Sequence, residues 1–446
     1  MKVSDLTTNP RKALLILSWP IVVSMLIQVM YNIVDTAFVG RLGSDAIAAL
    51  TFAFPLFILM VAITSGLGAG YNALISRFVG SKKVKSAQNA ALHALLISIV
   101  ASIIFAFLGL IFLRPLFMFF GAKGNVLELG IAFMSIIFAF SPLMFVSYAI
   151  TSFFTAVGDT KTSMKIQVTS LVVNIILDPI LIFGLHLGVR GAALATAAAY
   201  LVSLGLGIYF SYCKSCKEKN LVRLRVASWS FSPSILKSIF IVGFPATLMN
   251  FILSVYVVII NMFMSHFGTD YVAAFGLGSR LESLAVLPFV GVSFSMLTLV
   301  AMFIGAKKHK ELKNFVWYGI RISVILSSAI GVVFFFLSGF FFRIFTSDPV
   351  LISLSTAYMR IDVLTFPLMA IGFTVARIIQ AMGDGFAGLV VTLTRVLFVF
   401  VPVSYFFVFV LGYGFLSVAF SMVIGGIVSN IVGLIWLRKK MKGFDH

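Results

Sequence analysis

The chain has 446 residues, 61% hydrophobic and only 11% charged, with a mean hydropathy of +1.12. Soluble domains carry roughly 25% charged residues, so the composition excludes an ordinary soluble protein and predicts an all-α polytopic membrane protein. The formal net charge of +19 does not point to nucleic acid, because the basic residues sit in short runs between apolar spans rather than along one face.

The first apolar run follows Arg11 and Lys12 directly and outlasts the core of a cleavable signal, so it reads as the first transmembrane helix. Twelve charge-poor spans succeed one another along the chain: 13–38, 46–76, 88–113, 126–154, 162–184, 189–212, 235–265, 271–304, 314–338, 350–380, 388–411 and 415–437. Most reach the roughly 20 residues that a helix needs to cross a bilayer. Lys and Arg crowd into alternate loops and the two ends, whereas the opposite loops hold only Arg41, Arg114, Lys123, Arg190 and Arg343. The positive-inside rule then predicts a multi-pass protein of the cell membrane with both termini cytoplasmic. Cys213 and Cys216 form a lone CKSC in a polar loop with no neighbouring histidine, too few ligands for a zinc site.

The two halves of the chain repeat. At an offset of 225 residues Pro20 meets Pro245, Gly43 meets Gly268, FVGSKK (78–83) meets FIGAKK (303–308), Pro142 meets Pro367, and Gly158-Asp159 meets Gly383-Asp384. With a slip of two, Pro179 meets Pro402. The chain is therefore two pseudo-symmetric six-helix bundles, 1–212 and 235–446, joined by a basic cytoplasmic linker, 213–234. An even helix count gives both halves the same orientation, as in transporters built from parallel repeats that work by alternating access. The paired prolines predict kinks.

Function is expected where the symmetry breaks. Asp35 maps onto Ile260 and Asp178 onto about Val401, so the first half keeps two intramembrane carboxylates that the second lacks. Tyr31 precedes Asp35, and Asn174 precedes Asp178, each by four residues and so on the same helix face. Thr196 and Asn32 add oxygens at similar depth. Hydrogen bonds that fix helix packing are one reading of these aspartates. Two carboxylates without an intramembrane Lys or Arg in their half are better explained by a proton or small cation between them. Oxygen-only ligands suit H⁺ or Na⁺ rather than a soft transition metal. In the second half, Arg280 with Glu282 and Arg360 with Asp362 are expected to pair, leaving Arg321 and Arg395 alone. GLGAG (66–70) reads as close helix packing, since no Lys-Ser/Thr follows it. His93 reads as an interfacial residue.

WP, YNIVD and VGRLG in the first span, with DPILIFGLHLGVRGAALAT (178–196) across the fifth and sixth, resemble the multidrug and toxic compound extrusion (MATE) family, in the prokaryotic branch with an N-lobe cation site. The resemblance runs over essentially the whole chain and implies a twelve-helix fold in two lobes. The implied cation site is Asp35, Asn174, Asp178 and Thr196, with Tyr31 beside them and Pro20 as the bending point of the first helix; the same four oxygen ligands would hold Na⁺ if Na⁺ is the coupling ion. The implied activity is antiport, with H⁺ or Na⁺ entering as amphipathic or cationic organic compounds leave. It needs no cofactor beyond that ion, no nucleic acid, and as partners only a drug-like substrate and the bilayer; a monomer is expected. The alternative is a lipid-linked oligosaccharide flippase of related fold. It is disfavoured because the first half holds no internal Lys or Arg for a phosphate. An intramembrane aspartyl protease is disfavoured too, since both Gly-Asp pairs fall in repeat-related loops, and no enzymatic activity is expected.

Overall fold

Without water to satisfy them, backbone amides in a bilayer must pair within their own segment, which leaves helices for apolar runs of this length. In the computed structural model, which describes residue 6, residues 9–217 and residues 229–444, every apolar span is helical and no strand occurs among the described residues. The first half comprises α1 (Pro10–Gly40), α2 (Ser44–Gly80), α3 (Val84–Phe119), α4 (Gly124–Ala139 and Ser141–Ala156), α5 (Thr160–Gly184) and α6 (Val189–Lys217). The second comprises α7 (Pro233–Ser265), α8 (Thr269–Ala285 and Leu287–Gly305), α9 (His309–Phe345), α10 (Pro349–Asp362 and Thr365–Ala381), α11 (Phe386–Val410) and α12 (Leu416–Lys442). Ten helices are long and apolar enough to cross a membrane, and the two bent pairs, α4 and α10, bring the spans to twelve. Most of the expected linker, 213–234, lies outside the described residues, as do the side chains of Asn32, Cys213 and Cys216.

The repeat is written into the backbone. Spans α4 and α10 both bend by 49°. In each, the paired proline, Pro142 or Pro367, sits in the first turn of the second piece, where its missing N–H costs no intrahelical bond. Pro179 runs directly into a π-helical turn, Ile180–Gly184, and Pro402 lies in a short α-helical piece between two, Thr394–Phe400 and Phe406–Val410, where the widened helix accommodates the lost hydrogen bond. Helix ends match as well. The α4 and α10 ends close with Asp159 N–H donating to the Phe154 carbonyl (2.8 Å) and Asp384 N–H to the Ile379 carbonyl (3.2 Å). Each closure turns through a left-handed glycine, Gly158 at φ 83° and Gly383 at φ 88°.

Those aspartates also start the next helix. Asp159 accepts from the Thr162 amide and hydroxyl at the head of α5. Asp384 accepts from the Ala387 amide and the Trp436 indole and pairs with Lys440 at 2.9 Å, tying α11 to α12. Partial burial pushes the Asp384 carboxyl up, but the Lys440 bond and the other donors outweigh it and hold it below the ordinary value. Its contribution to stability is therefore present above the ordinary carboxylate range and lost only as pH falls through the depressed value.

Contacts divide the chain into two compact units, and the division cuts two helices. One unit holds α1 from Val23 onward and continues to Phe240 in α7; the other holds α1 up to Val22 together with Ile241 onward. In the second unit the Ser18 hydroxyl lies 3.0 Å from that of Ser295, and a Cβ on Gly291 would meet Val22 at 2.4 Å. Pro20, one turn inside this segment, cannot donate to the Ile16 carbonyl. The first unit packs around Val39, Met60, Phe117, Phe133, Phe138 and Phe145. The GLGAG patch is close packing as expected, since a Cβ on Gly68 would meet the Tyr148 ring at 2.5 Å.

One contact sets the separation of α5 and α6. At Gly191 on α6 a Cβ would lie 2.7 Å from the Leu181 carbonyl carbon and oxygen and 2.8 Å from the Ile182 nitrogen. Rigid backbone stands on the far side, so Gly191→Ala must push α6 off the π-turn of α5. The expected cost is about 1–3 kcal/mol of overpacking, read as a lower melting temperature of the purified protein; an unchanged melting temperature would contradict the contact.

Candidate ion-binding site

Three helices of the first unit bring oxygens together. Tyr31 and Asp35 lie one turn apart on α1, and Asn174 and Asp178 one turn apart on the last turns of α5. Thr196 sits five residues past Gly191 on α6, where the close α5–α6 approach holds it. Asp178 and Asn174 are 0% exposed and Thr196 is 3% exposed, while Asp35 and Tyr31 are half-buried. The five candidates from the sequence are thus one cluster.

The Asp35 carboxyl faces Asp178 and Asn174. Asn174 Nδ2 donates to Asp178 Oδ1 at 3.3 Å. The Tyr31 hydroxyl faces Thr196, and the Asp35 and Asp178 carboxylates lie near it. Tyr200, one turn past Thr196, is a member that the sequence did not single out: its ring stacks on Tyr31 at 6.5 Å and 28°. The signal that could have found it is the same i,i+4 spacing used for the other pairs.

Charge and hydrogen bonding are both incomplete here. The neighbours acting on Asp35 and Asp178 are each other and Asn174, and no cation is among them. Tyr31 Oη, Asp35 Oδ1, Asn174 Oδ1, Asp178 Oδ2 and Thr196 Oγ1 are all buried without a hydrogen-bond partner among the described residues. A buried polar atom left without a partner costs roughly 1–3 kcal/mol, more if charged, so five in one place leave the cluster open to a proton, a small cation or water. The donor set fits H⁺ or Na⁺: hard oxygens, two of them carboxylate. Among the described residues no group of three or more His, Cys, Asp or Glu has metal-holding geometry.

The second unit has a polar cluster of different character. Glu282 on α8 and Asp362 on α10 both face Arg395 on α11 and lie near Tyr256 and Tyr358. The Arg395 guanidinium stands over the Tyr256 ring at 5.6 Å, and the Thr365 hydroxyl donates to Asp362 at 3.3 Å. The expected Arg280–Glu282 and Arg360–Asp362 pairs do not form. Residues two apart on a helix point to different faces, so Arg280 and Arg360 are exposed, the latter over the Phe335 ring at 5.8 Å. Arg395, expected to stand alone, is the counter-cation. Ile260, the mate of Asp35, is 1% exposed in an apolar cluster with Phe263, Met264 and Phe275.

Comparison with known proteins gives a consistent picture. The model of the MatE family matches residues 20–180 and 245–406, once in each half. The chain is 29% identical over 376 residues to the multidrug export protein MepA of Staphylococcus haemolyticus, covering 84% of this chain and 82% of the relative. It is 27% identical over 401 residues to the FAD transporter of Shewanella oneidensis, covering 88% and 87%. Among solved structures, one of MATE in the bent conformation superposes with a TM-score of 0.94 at 27% identity, over 99% of this chain and 98% of that one.

If the five oxygens hold a cation, the folded wild type gains stability by mass action as Na⁺ or protons are added. Asp35→Asn removes the unbalanced repulsion, so it should fold at least as stably without ions yet lose most of that ion-dependent rise. Thermal unfolding across Na⁺ concentration at fixed pH, and across pH without Na⁺, measures both. A full ion response in Asp35→Asn would place the cation elsewhere.

Proposed function

Because this chain belongs to the MatE family, spans a membrane with up to twelve helices and carries five partnerless oxygens in its first half, we propose that it is a cation-coupled antiporter. In this reading H⁺ or Na⁺ moves inward as amphipathic or cationic organic compounds are exported. The single observation that carries the coupling is the unbalanced Asp35–Asp178 pair. The relatives support the export: MepA is a multidrug export protein. On this reading the protein is a transporter rather than an enzyme, acts as a monomer in the cell membrane with both termini cytoplasmic, and needs no cofactor besides its coupling ion.

The chain's own residues suggest how binding becomes movement. An empty site sets two carboxylates against each other in a poorly screening medium. A bound proton or Na⁺ removes the repulsion and draws Asp35 on α1 toward Asp178 and Asn174 on α5. Helix α1 is the element to respond, because it carries Tyr31 and Asp35 on one side of Pro20 and packs by Ser18 on the other. Pro20 weakens the ladder between them.

Export of an anionic compound is a second reading with specific support. One relative is an FAD transporter, and in the second unit a small cavity of about 30 Å³ is lined by Met249, Phe373, Thr392, Asn430 and Arg395. Arg395 is already shared with Glu282 and Asp362, which disfavours this reading.

Two experiments test the proposal. In proteoliposomes, drug efflux driven by an imposed pH gradient or by an imposed Na⁺ gradient, each alone, should be supported by at least one. Efflux indifferent to both would refute coupling. Pro20→Ala should lower the transport rate more than drug affinity, since restoring the helix ladder is worth roughly 3 kcal/mol toward a straight helix, enough to bias a two-state element. Pro245→Ala should do less, because Ile260 stands where Asp35 does. Equal losses from the two would make α1 a scaffold.

A further inference from the structure

His93, one turn past Asn89 on α3, is 0% exposed and not interfacial as its position suggested. It closes a clip on the segment Trp229–Ser232, which leads into α7. Asn89 reads the main chain of this strap through both halves of its amide. Nδ2 donates to the Ser230 carbonyl at 2.9 Å and to the Ser230 hydroxyl at 3.1 Å, and Oδ1 accepts from the Ser230 amide at 3.1 Å. Two residues on, the Ser232 amide donates to His93 Nε2 at 3.0 Å. The imidazole stacks on Trp229 at 4.6 Å and on Phe231 at 6.2 Å.

The hydrogen-bond pattern admits one protonation state. His93 Nδ1 lies 2.8 Å from the Asn89 carbonyl, which can only accept, so Nδ1 carries a hydrogen. Nε2 receives an amide hydrogen from Ser232, so it must carry none. A second proton on the ring would set Nε2–H against Ser232 N–H, two donors at 3.0 Å with no acceptor between them. The bond to the strap is then lost, while the Asn89 carbonyl bond and the Trp229 stack are compatible with either state.

We infer that Asn89 and His93 form an acid-sensitive clip that holds the start of α7 at Ser230 and Ser232 while the imidazole is neutral and loosens it at Ser232 when the imidazole is protonated. The ring's partners are Asn89 on its own helix and Trp229, Phe231 and Ser232 on the strap, none of which titrates near neutrality. Among the described residues the charged groups at this end of the unit are Arg77 on α2, Lys82 and Lys83 in the α2–α3 turn, Lys85 on α3, Asp159 before α5, Lys161 and Lys165 on α5 and Lys237 on α7. None of them hydrogen-bonds to or stacks on the ring. The strap is solvent-accessible, with Trp229 42% exposed, so protons reach it from the aqueous phase.

The repeat argues that the imidazole is a device of the first half alone. The positions 225 residues on are Asn314 and Tyr318, an Asn–Tyr pair in place of Asn–His, and the Tyr318 ring is covered instead by the Arg11 guanidinium at 5.0 Å. A phenol there stacks equally well but offers no proton-gated acceptor to a strap. The physiological sense of the clip rests on the cation-coupled antiport proposed above: proton entry acidifies the compartment that the clip faces, and so feeds back on α7. Its chemistry does not depend on that reading.

Hydrogen exchange of the peptide that covers the strap, followed in detergent and corrected for the intrinsic effect of pH, tests the clip without any transport. In the wild type the strap amides should be protected at neutral pH and exchange roughly tenfold faster under mild acid, as the Ser232 bond is lost. His93→Gln offers an acceptor that does not titrate and should keep protection at both. Asn89→Ala should leave the strap unprotected at both. An acid-independent wild type, or a His93→Gln variant as acid-sensitive as the wild type, would overturn the proposal. Should His93→Gln fail to fold, isotope-labelled histidine NMR of the wild type decides: a neutral ring with hydrogen on Nδ1 supports the clip, and one with hydrogen on Nε2 overturns it.

Discussion

Asp35 and Asp178 face each other in an environment that offers them no cation, and much of the first unit serves to keep them there. A bare carboxylate at membrane depth costs a few kcal/mol, and two together cost more because each makes the other harder to bury. Helix α5 brings Asn174 to one of them. The π-turn after Pro179 and the missing side chain at Gly191 let α6 approach closely enough to add Thr196. Helix α6 also supplies Tyr200, which stacks on Tyr31. After all this five oxygens still lack partners. In the proposed antiport cycle a positive charge completes the arrangement and gives the ion leverage over the helix that carries Asp35.

The second unit shows what the same scaffold does when a cation is built in beside the carboxylates. Its left-handed turns at Gly268, Lys307 and Gly383 and the 49° bend of α10 repeat those of the first unit, yet Ile260 fills an apolar cluster where Asp35 would stand. Its own carboxylates, Glu282 and Asp362, have Arg395 as a shared counter-ion. The two halves share a fold and differ in electrostatics.

Much of this was legible in the sequence, for a physical reason in each case. Lipid permits only helices for runs of such length, so element type and number came from composition. A side chain and its neighbour four residues on share a face, so Tyr31 with Asp35 and Asn174 with Asp178 could be paired before their helices were placed. What stayed hidden depends on contacts distant in sequence. Arg395 meets Glu282 and Asp362 across three helices, while the nearer Arg280 and Arg360 point away. The cut of α1 at Val22 is marked in an otherwise unbroken apolar run only by Pro20, two residues before it. Spans α4 and α10 break in runs whose hydropathy does not change, and Pro142 and Pro367 alone mark the places. His93 looked interfacial because its partners, Trp229 to Ser232, belong to a segment far along the chain, the Ser232 amide that bonds the ring lying 139 positions on.

In the proposed cycle the cation binds between the first-half carboxylates, Asp35 and Asp178. Infrared difference spectroscopy of the purified protein, recorded as Na⁺ is added or pH is stepped, reports carboxyl groups that gain or lose an ion. The account predicts a carboxyl band that responds to the ion in the wild type, vanishes in Asp35→Asn and in Asp178→Asn, and persists in Glu282→Gln. A band that persists in both aspartate variants and vanishes in Glu282→Gln would contradict it.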